Sequence, residues 1–496
     1  MNIEQLLEGV KVNSIKHGRS SDVVSIFADS RVISGTGALF VAISGAVFDG
    51  HNEIKNLLSA NKVSFVVLDQ KLEFHDFDDV TMIYVPDSKV ALGKIASNFY
   101  GHPSFKIISV GITGTNGKTT TSYLIESILN KANLPAGRIG TNGYDLLGVS
   151  HAAITTTPSV LELNMMLDDL HSRGGMSVVI EVSSHGLTQH RVSGIDFDVA
   201  IFTNLTQDHI DYHKNLDDYF NAKSILFRLC KPKVSIVNLD DSYANRLLSL
   251  IEGKVLTYSL KSGADIYIAE HKITTDGLSA TIKIGSNSIS IKSSLVGRFN
   301  LYNILAAVSF GVSQGIDYDL ISSGIEGVNY IPGRFERVDE GQPYSLIIDY
   351  AHTDDALKNI LTAARELTDG RLIVVFGCGG DRDRGKRAKM GKVVKELSDY
   401  IIVTSDNPRT EDPLNIVADI LAGMDLGDNN NGNVRLVIDR KEAIKAAIGE
   451  ATAGDTVIIA GKGHEQYQIV GQETLHFNDK EEAIKVLRSN ETKVQS

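Results

Sequence analysis

The sequence predicts an α/β protein of three domains with a mostly parallel sheet at its centre. Three observations carry this expectation. The chain has 496 residues, too many for one core at the usual ~150 residues per domain. Its middle and last thirds alternate short continuous apolar runs with helix-length amphipathic stretches, the pattern of strands covered by helices on both faces. Polar and glycine-rich clusters begin where the apolar runs end, as loops do when they line a ligand cleft beyond the carboxyl ends of parallel strands.

Taken in order, KIISVGITG at 106–114 reads as a buried strand followed by a helix through about Lys131. SVVIEVSS at 177–184, DVAIFTN at 198–204 and VSIVN at 234–238 are further buried strands, and the weaker alternation at 256–296 reads as antiparallel. From 345 onward SLIIDYAH, RLIVVFGCGG, YIIVTSDNP and TVIIAGKGHE repeat the style. Gly101-His102-Pro103 and Pro332-Gly333 mark the joints. The expected domains are therefore 1–103, a smaller N-terminal α/β domain; 104–331, a central domain of P-loop type; and 332–496, a Rossmann-like α/β domain. No repeat is visible. GDNNNGN at 427–433 is the one low-complexity tract, and SNETKVQS reads as a frayed end.

Composition narrows the class. Hydrophobic content of 42% and charged content of 22% suit a globular enzyme. No apolar run approaches the ~20 residues that span a bilayer, so membrane insertion is not expected. MNIEQLLEGVKVNSIKHG lacks the basic start, apolar stretch and cleavage site of a secretory signal. Cys230 and Cys378 are too few for a disulfide framework and wrongly spaced for zinc. A cytoplasmic location fits these features. The net charge of −12 argues against a nucleic-acid partner, so an anionic substrate must be held by local donors.

Gly114-Thr115-Asn116-Gly117-Lys118-Thr119-Thr120 follows a strand and opens a helix. Glycines let backbone amides approach phosphates, the helix N-terminus adds partial positive charge, and Lys118 adds a full one. A hydroxyl of Thr119 or Thr120 suits the magnesium that accompanies ATP. Strict Walker spacing requires glycine at 112, where this chain has Ile112. Glu181 ends a buried strand, and a carboxylate there must bind metal or find donors.

These segments resemble the Mur ligase family. GTNGKTT is similar to the phosphate loop of Mur ligases and of folylpolyglutamate synthetases, and further Mur-like segments follow in order across nearly the whole chain. The resemblance implies an ATP-dependent amide-forming ligase that uses ATP as co-substrate with two Mg2+ ions. It implies that Glu181 of EVSSHGL and His209 of TNLTQDH bind magnesium, with Thr119. Lys223 in YFNAKSILF would by composition be a solvated lysine, but it stands where the family carries a carbamylated lysine (N6-carboxylysine) whose CO2-derived carbamate supports a metal ion. CO2 attacks only a neutral amine, and a buried lysine gives up its proton readily. Lys118, Glu181, His209 and Lys223 form the expected catalytic set, with His213 structural. The resemblance also places Asn303 of LVGRFNLYN by the adenine, Arg334 of PGRFE by the ATP phosphates, and Asp349 and His352 of DYAH facing the nucleotide. Asp354 stands where proline is common in the family.

In the first domain Asp29-Ser30-Arg31 and the segment GAVFDG at 45–50 resemble uridine-diphosphate-binding segments of members that add a third peptide residue. Thr156 and Thr157, with Ser183, Gln189 and Arg191, resemble positions contacting the sugar–peptide. Thr155 stands where some relatives have asparagine. The implied substrate is UDP-MurNAc-L-Ala-D-Glu, in peptidoglycan precursor synthesis. Asp406-Asn407-Pro408-Arg409 matches the signature associated with meso-2,6-diaminopimelate rather than L-lysine. Diaminopimelate carries a second carboxylate, for which Arg409 is a forked partner. Arg382 is similarly placed, and Gly461 with Glu465 would receive the zwitterionic distal end. A monomer is expected. The rivals are the lysine-adding ligase, indifferent to Arg409; a folylpolyglutamate synthetase, which leaves the first hundred residues unexplained; and a nucleotide switch, which has no use for Lys223, Arg382 or Arg409.

Overall fold

The computed structural model describes residues 1–18, 21–33, 35–45, 48–72, 74, 77–425 and 432–494, with side chains to 489. Ala46 and Val47 of the GAVFDG segment, most of the 427–433 tract and the last two residues lie outside the described residues.

Among the described residues three large sheets organise the chain, with a two-stranded hairpin of Tyr467–Val470 and Glu473–His476 beside the last. The N-terminal one has five strands in the order Ser14–Lys16, Thr81–Tyr84, Phe65–Leu68, Ala38–Val41 and Ser25–Phe27, all parallel except the first. The central sheet has eleven strands. Its core runs in parallel through Lys254–Ser259, Val234–Asn238, Val199–Phe202, Ile108–Thr113, Ser177–Glu181 and Ala136–Gly140. Antiparallel ribbons extend it at both ends. The C-terminal sheet places Ser345–Asp349, Thr456–Ala460, Leu372–Phe376, Tyr400–Val403 and Val434–Leu436 side by side in parallel.

The apolar runs are continuous because both faces of these sheets are covered. Val199 and Ile201 pack with Leu124, Ile125 and Ile128 of the helix Lys118–Lys131, whereas Ala200 and Phe202 face the opposite core with Tyr219, Leu226 and Phe227. The stretch expected to be antiparallel divides in two. Lys254–Ser259 pairs in parallel with Val234–Asn238, because Tyr258 is buried in the core and carries the parallel sheet one strand further. Only Ile266–Thr274, Gly277–Ile284 and Asn287–Ser293 form the antiparallel ribbon.

Both joints contain left-handed residues that turn the chain sharply: His102 at φ 56° before Pro103, and Gly333 at φ 67° followed by Phe335 at φ 46°. At the second joint Asp349 accepts from the Phe335 amide at 2.6 Å and Glu336 from the Gly333 amide at 2.7 Å. The bend is thus held by carboxylates that spend their oxygens on backbone donors.

Candidate active site

The phosphate loop leaves the strand Ile108–Thr113 and enters the helix Lys118–Lys131. Gly114 and Gly117 have φ of 153° and 86°, and a β-carbon at either would overlap its neighbour, the Thr203 hydroxyl or the Asn303 side-chain oxygen. The loop is braced from the next strand end, where Asn204 accepts from the Asn116 amide at 2.9 Å and the Thr203 hydroxyl donates to the Asn116 carbonyl at 2.7 Å. Lys118 folds back so that its Nζ donates to the carbonyls of Gly114 and Thr115, both at 2.9 Å. Burial lowers its pKa, against the pull of Glu181 and Asp208.

Glu181 is buried at its strand end. Its Oε2 accepts from the hydroxyls of Thr119 and Thr141, both at 3.0 Å, and its Oε1 from the Thr141 amide at 3.1 Å. Lys223, on the helix Leu216–Arg228, is 2% exposed rather than solvated. Its Nζ donates to the Gly114 carbonyl at 2.8 Å and sits 4.3 Å from the centre of the Tyr219 ring. Burial, then the charge of Lys118, hold its pKa well below the ordinary lysine value. His209 adopts φ 54° and stacks edge-on to His185 and Tyr219. Burial in this cluster, with His185 and Lys223 nearby, keeps it below the usual histidine range despite Asp208. His213 is buried against the Ser184 hydroxyl at 2.9 Å, as a structural residue would be.

Beside Glu181 a second cluster takes shape. Thr157 donates to the Glu181 carbonyl at 2.9 Å and lies 3.0 Å from the Ser183 hydroxyl, while Thr156 lies 3.2 Å from Thr141. Arg191 reaches the Thr157 carbonyl at 2.7 Å and grips Gln189 through two nitrogens. Thr155 is turned inward onto the Thr157 carbonyl. Ser30 is not part of this cluster. It follows the strand Ser25–Phe27 in the N-terminal domain, whose core takes in Val160 and Leu161 just beyond Thr157.

The C-terminal domain closes over the central one. Arg334 donates to the Thr119 hydroxyl at 3.0 Å, Asp355 accepts from Asn116 at 2.9 Å and Thr206 at 3.1 Å, and His464 meets the Thr141 carbonyl at 3.1 Å. Asp354 occupies the first turn of the helix Asp354–Arg365, capped by Thr353, where a carboxylate suits the helix dipole as well as a proline suits the backbone. Burial raises Asp349 and lowers His352, whose Nδ1 bonds the Tyr350 carbonyl. Asn303 lies against Gly117, bonded to Asn300. A cavity of about 230 Å³ at this seam is lined by Val296, Asn300, Arg334, Phe335 and Lys480.

Facing the cleft from the C-terminal sheet, Asp406, Asn407, Pro408 and Arg409 adjoin Gly461 and Glu465. A β-carbon on Gly461, at φ 115°, would sit 2.8 Å from Asp406 Oδ2. Arg409, left-handed at φ 52°, bonds through its guanidinium to the Gly380 and Asn407 carbonyls at 2.8 and 3.5 Å. Burial, then repulsion from Arg382, lower its pKa. Two guanidinium groups thus share one pocket, while the Pro408 carbonyl crowds Gly380 beneath them.

Sequence reasoning did not single out Thr141, Asp355, Lys462 or His464. Thr141 ends the strand Ala136–Gly140, so the strand-end pattern pointed to it.

A phosphate loop opposed across a closed cleft by a pocket of cations and carboxylates defines a ligase that activates one substrate with ATP and joins it to another. The Mur ligase middle domain matches residues 112–311, and the Mur ligase glutamate ligase domain matches residues 333–463. The chain belongs to the Mur ligase family and is an ATP-dependent ligase. It is 42% identical to UDP-N-acetylmuramoyl-L-alanyl-D-glutamate–2,6-diaminopimelate ligase of Geobacter sulfurreducens over 99% of this chain and 100% of that one. It is 44% identical to the ligase of the same name from a Nostoc strain over 92% of each. A solved structure of a ligase of that name matches at a TM-score of 0.69 and 30% identity, covering 99% of each chain. The MurF ligase of Thermotoga maritima in complex with ADP shares the fold at a TM-score of 0.64 and 17% identity, covering 95% of this chain and 98% of that one. Among the described residues no helix is long and apolar enough to cross a membrane.

Proposed function

We propose that this chain joins meso-2,6-diaminopimelate to UDP-MurNAc-L-Ala-D-Glu in the cytoplasm, where ATP is available, and that it acts as a monomer. The boundaries proposed are residues 1–103 for uridine-diphosphate binding, 104–331 for ATP, and 332–496 for the amino acid. The observation that carries the amine's identity is the pairing of Arg409 with Arg382. Among the described residues the Arg409 guanidinium bonds to carbonyls alone, and burial first, then the charge of Arg382, lower its pKa. Such a pair is relieved by an anion, and the second carboxylate of diaminopimelate is one that L-lysine lacks.

In the proposed reaction the side-chain carboxylate of D-glutamate attacks the γ-phosphorus of ATP, giving an acyl phosphate and ADP. The amine nitrogen then attacks the acyl carbon, the carbon–oxygen bond to phosphate breaks, and the nitrogen loses a proton. Gly114 to Thr120 cradle the phosphates, and Lys118 and Arg334 supply positive charge to them. Asn303, Asp349 and His352 face the nucleotide. Ser30 serves the uridine end, while Thr156, Thr157, Ser183, Gln189 and Arg191 bind the sugar–peptide. Arg382, the Asp406–Arg409 segment, Gly461 and Glu465 hold the amine. The contacts of Arg334, Asp355 and His464 across the cleft exclude water from the acyl phosphate.

Thr119, Glu181 and His209, with a carbamate on Lys223, would hold two Mg2+ ions. The hydroxyl and the buried carboxylate are oxygen donors that suit a hard cation, and burial keeps the His209 imidazole neutral. Among the described residues no group of three or more His, Cys, Asp or Glu is assembled as a metal cage, and magnesium in phosphoryl transfer needs none because it keeps waters and phosphate oxygens. When bound, the ions would neutralise charge on the transferring phosphate.

The test is ATP-dependent product formation from UDP-MurNAc-L-Ala-D-Glu with meso-diaminopimelate or L-lysine, read by mass. Product with diaminopimelate alone is expected. Product only with lysine would refute the reading of Arg409, and no product with either would refute the reaction.

A further inference from the structure

Beneath the two arginines lies a third cation that the proposed reaction leaves without a role. Lys462 is 0% exposed, on the loop that leaves the strand Thr456–Ala460. Its Nζ donates to Glu465 Oε2 at 2.8 Å and to Asn407 Oδ1 at 3.1 Å, and lies 3.7 Å from Asp406 Oδ1. The Tyr467 ring covers it, its centre 5.5 Å away. A buried ammonium is tolerated only when it is hydrogen-bonded and its charge balanced: Glu465 and Asn407 accept from it, and Glu465 and Asp406 balance its charge.

Two consequences follow from this placement. Asn407 Nδ2 donates to the same Glu465 Oε2 at 3.0 Å, so that oxygen is saturated by protein. Glu465 Oε1, with no hydrogen-bond partner among the described residues, is the oxygen turned over to a ligand. The second consequence is electrostatic. The pocket sets Lys462, Arg382 and Arg409 against Asp406 and Glu465, three cations against two carboxylates; the neighbouring Asp381 is exposed to solvent and spends its oxygens on Thr410. The buried Arg440 beside them is balanced by Asp479. One positive charge is left over. A ligand head bringing a carboxylate with its ammonium suits this balance better than one bringing an ammonium alone. Without Lys462 the surplus charge is gone and Asp406 and Glu465 lose their ammonium neighbour, so a ligand's lone ammonium could take its place.

We infer that Lys462 is a specificity-determining positioning residue, which orients Glu465 and sets the pocket's charge so that an amine carrying a second carboxylate is selected over one without it. The inference rests on the reading of this pocket as the amine site. Lys462 touches no reacting atom; it acts through Glu465, Asn407 and Asp406.

The experiment compares kcat/KM for meso-diaminopimelate and L-lysine in the full-length wild type, Lys462→Met and Lys462→Arg, with Lys462→Gln in place of methionine should that variant not fold. Nucleotide binding and thermal melting serve as checks on folding. Neutral replacement is expected to lower the ratio of diaminopimelate to lysine turnover by at least about tenfold, mainly through KM for diaminopimelate. Lys462→Arg, which keeps the charge, should stay within about threefold of the wild-type ratio. A purely structural lysine would lower both activities together, and an unchanged ratio in the neutral variants overturns the inference while leaving the proposed function standing. Failure of the wild type to use either amine overturns both.

Discussion

Lys223 Nζ lies 2.8 Å from the carbonyl oxygen of Gly114, the residue on which the phosphate loop turns. The amine is buried, faces the Tyr219 ring, and is pushed toward its neutral form by burial and by Lys118. A neutral amine is what CO2 requires, and a carbamate nitrogen still carries one hydrogen for the Gly114 carbonyl. Lys223→Ala is expected to lower kcat by about 10- to 100-fold, as loss of metal-supporting groups commonly does. Millimolar formate or acetate should recover part of it by supplying a carboxylate to the space left behind. Labelling with 13C-bicarbonate should give a carbamate carbon signal in wild type and none in the variant. Full activity of Lys223→Ala would end the carbamate proposal.

Gly117 and Asn303 separate two kinds of constraint. A β-carbon at 117 would overlap Asn303 Oδ1, and the residue sits at φ 86° besides. Gly117→Ala is expected to weaken ADP binding by about 100-fold or more through clash and backbone strain together. Asn303→Ala alone, which gives up the nucleotide contact proposed for that amide, is the reference: adding Gly117→Ala to it brings the strain, about 1–2 kcal/mol, without the clash, so calorimetric titration should show a smaller further loss of ADP affinity than Gly117→Ala causes in the wild type. An equal loss in both backgrounds would mean that Asn303 is not what limits the loop.

Much of this architecture was legible because parallel strands buried on both faces are written as continuous apolar runs, and the loops that follow them carry the polar residues. The clusters GTNGKTT, EVSSHG, TNLTQDH, DYAH, GCGGDRD, SDNPR and GKGHE each begin at the end of a strand of the central or C-terminal sheet. Lys223 was less legible than it could have been. It stands four residues from both Tyr219 and Phe227, on the buried stripe of its helix, so its period marks it as buried where its type suggests solvent. Lys462 and His464 were visible only as letters in a glycine-rich motif, because apart from Glu465 of that motif their partners come from residues 406–407 and 141, which no local pattern joins to them. The proline replaced at 354 drew attention to the wrong neighbour, since Asp355 makes the contacts across the cleft.

Arg440 and Asp479 form a buried pair, both side chains 0% exposed, with two bonds of 2.7 Å and a third from Arg440 to the Ala460 carbonyl at 3.0 Å. Removing one partner strands a charge in the core, a cost of about 3–5 kcal/mol. Asp479→Ala is therefore expected to lower the C-terminal domain's calorimetric transition on the order of 10 °C. Arg440→Met with Asp479→Leu, which removes both charges, should be less destabilised than either single variant. A double variant as unstable as the sum of the singles would show that packing, not charge, is what the pair supplies.

His464 ties closure of the cleft to pH. Its Nε2 meets the Thr141 carbonyl at 3.1 Å, and since a carbonyl only accepts, that nitrogen carries the hydrogen. Nδ1 is buried and has no hydrogen-bond partner among the described residues. Burial first, and then the Arg334 charge, push the ring down to about 3. In an open arrangement the ring returns to the ordinary value near ~6.5. A pKa lowered by closing means that closure is fully favoured above that value. It is lost as pH falls toward 3, by about tenfold per unit. Small-angle scattering with ADP bound should therefore show opening that sets in below pH ~6.5 and grows as pH falls toward 3. His209 and His352 are also held low by burial, so the informative quantity is the difference between wild type and His464→Gln, which keeps a donor but does not titrate. That variant should close with a shallower pH dependence; an identical profile would assign the effect to the other histidines.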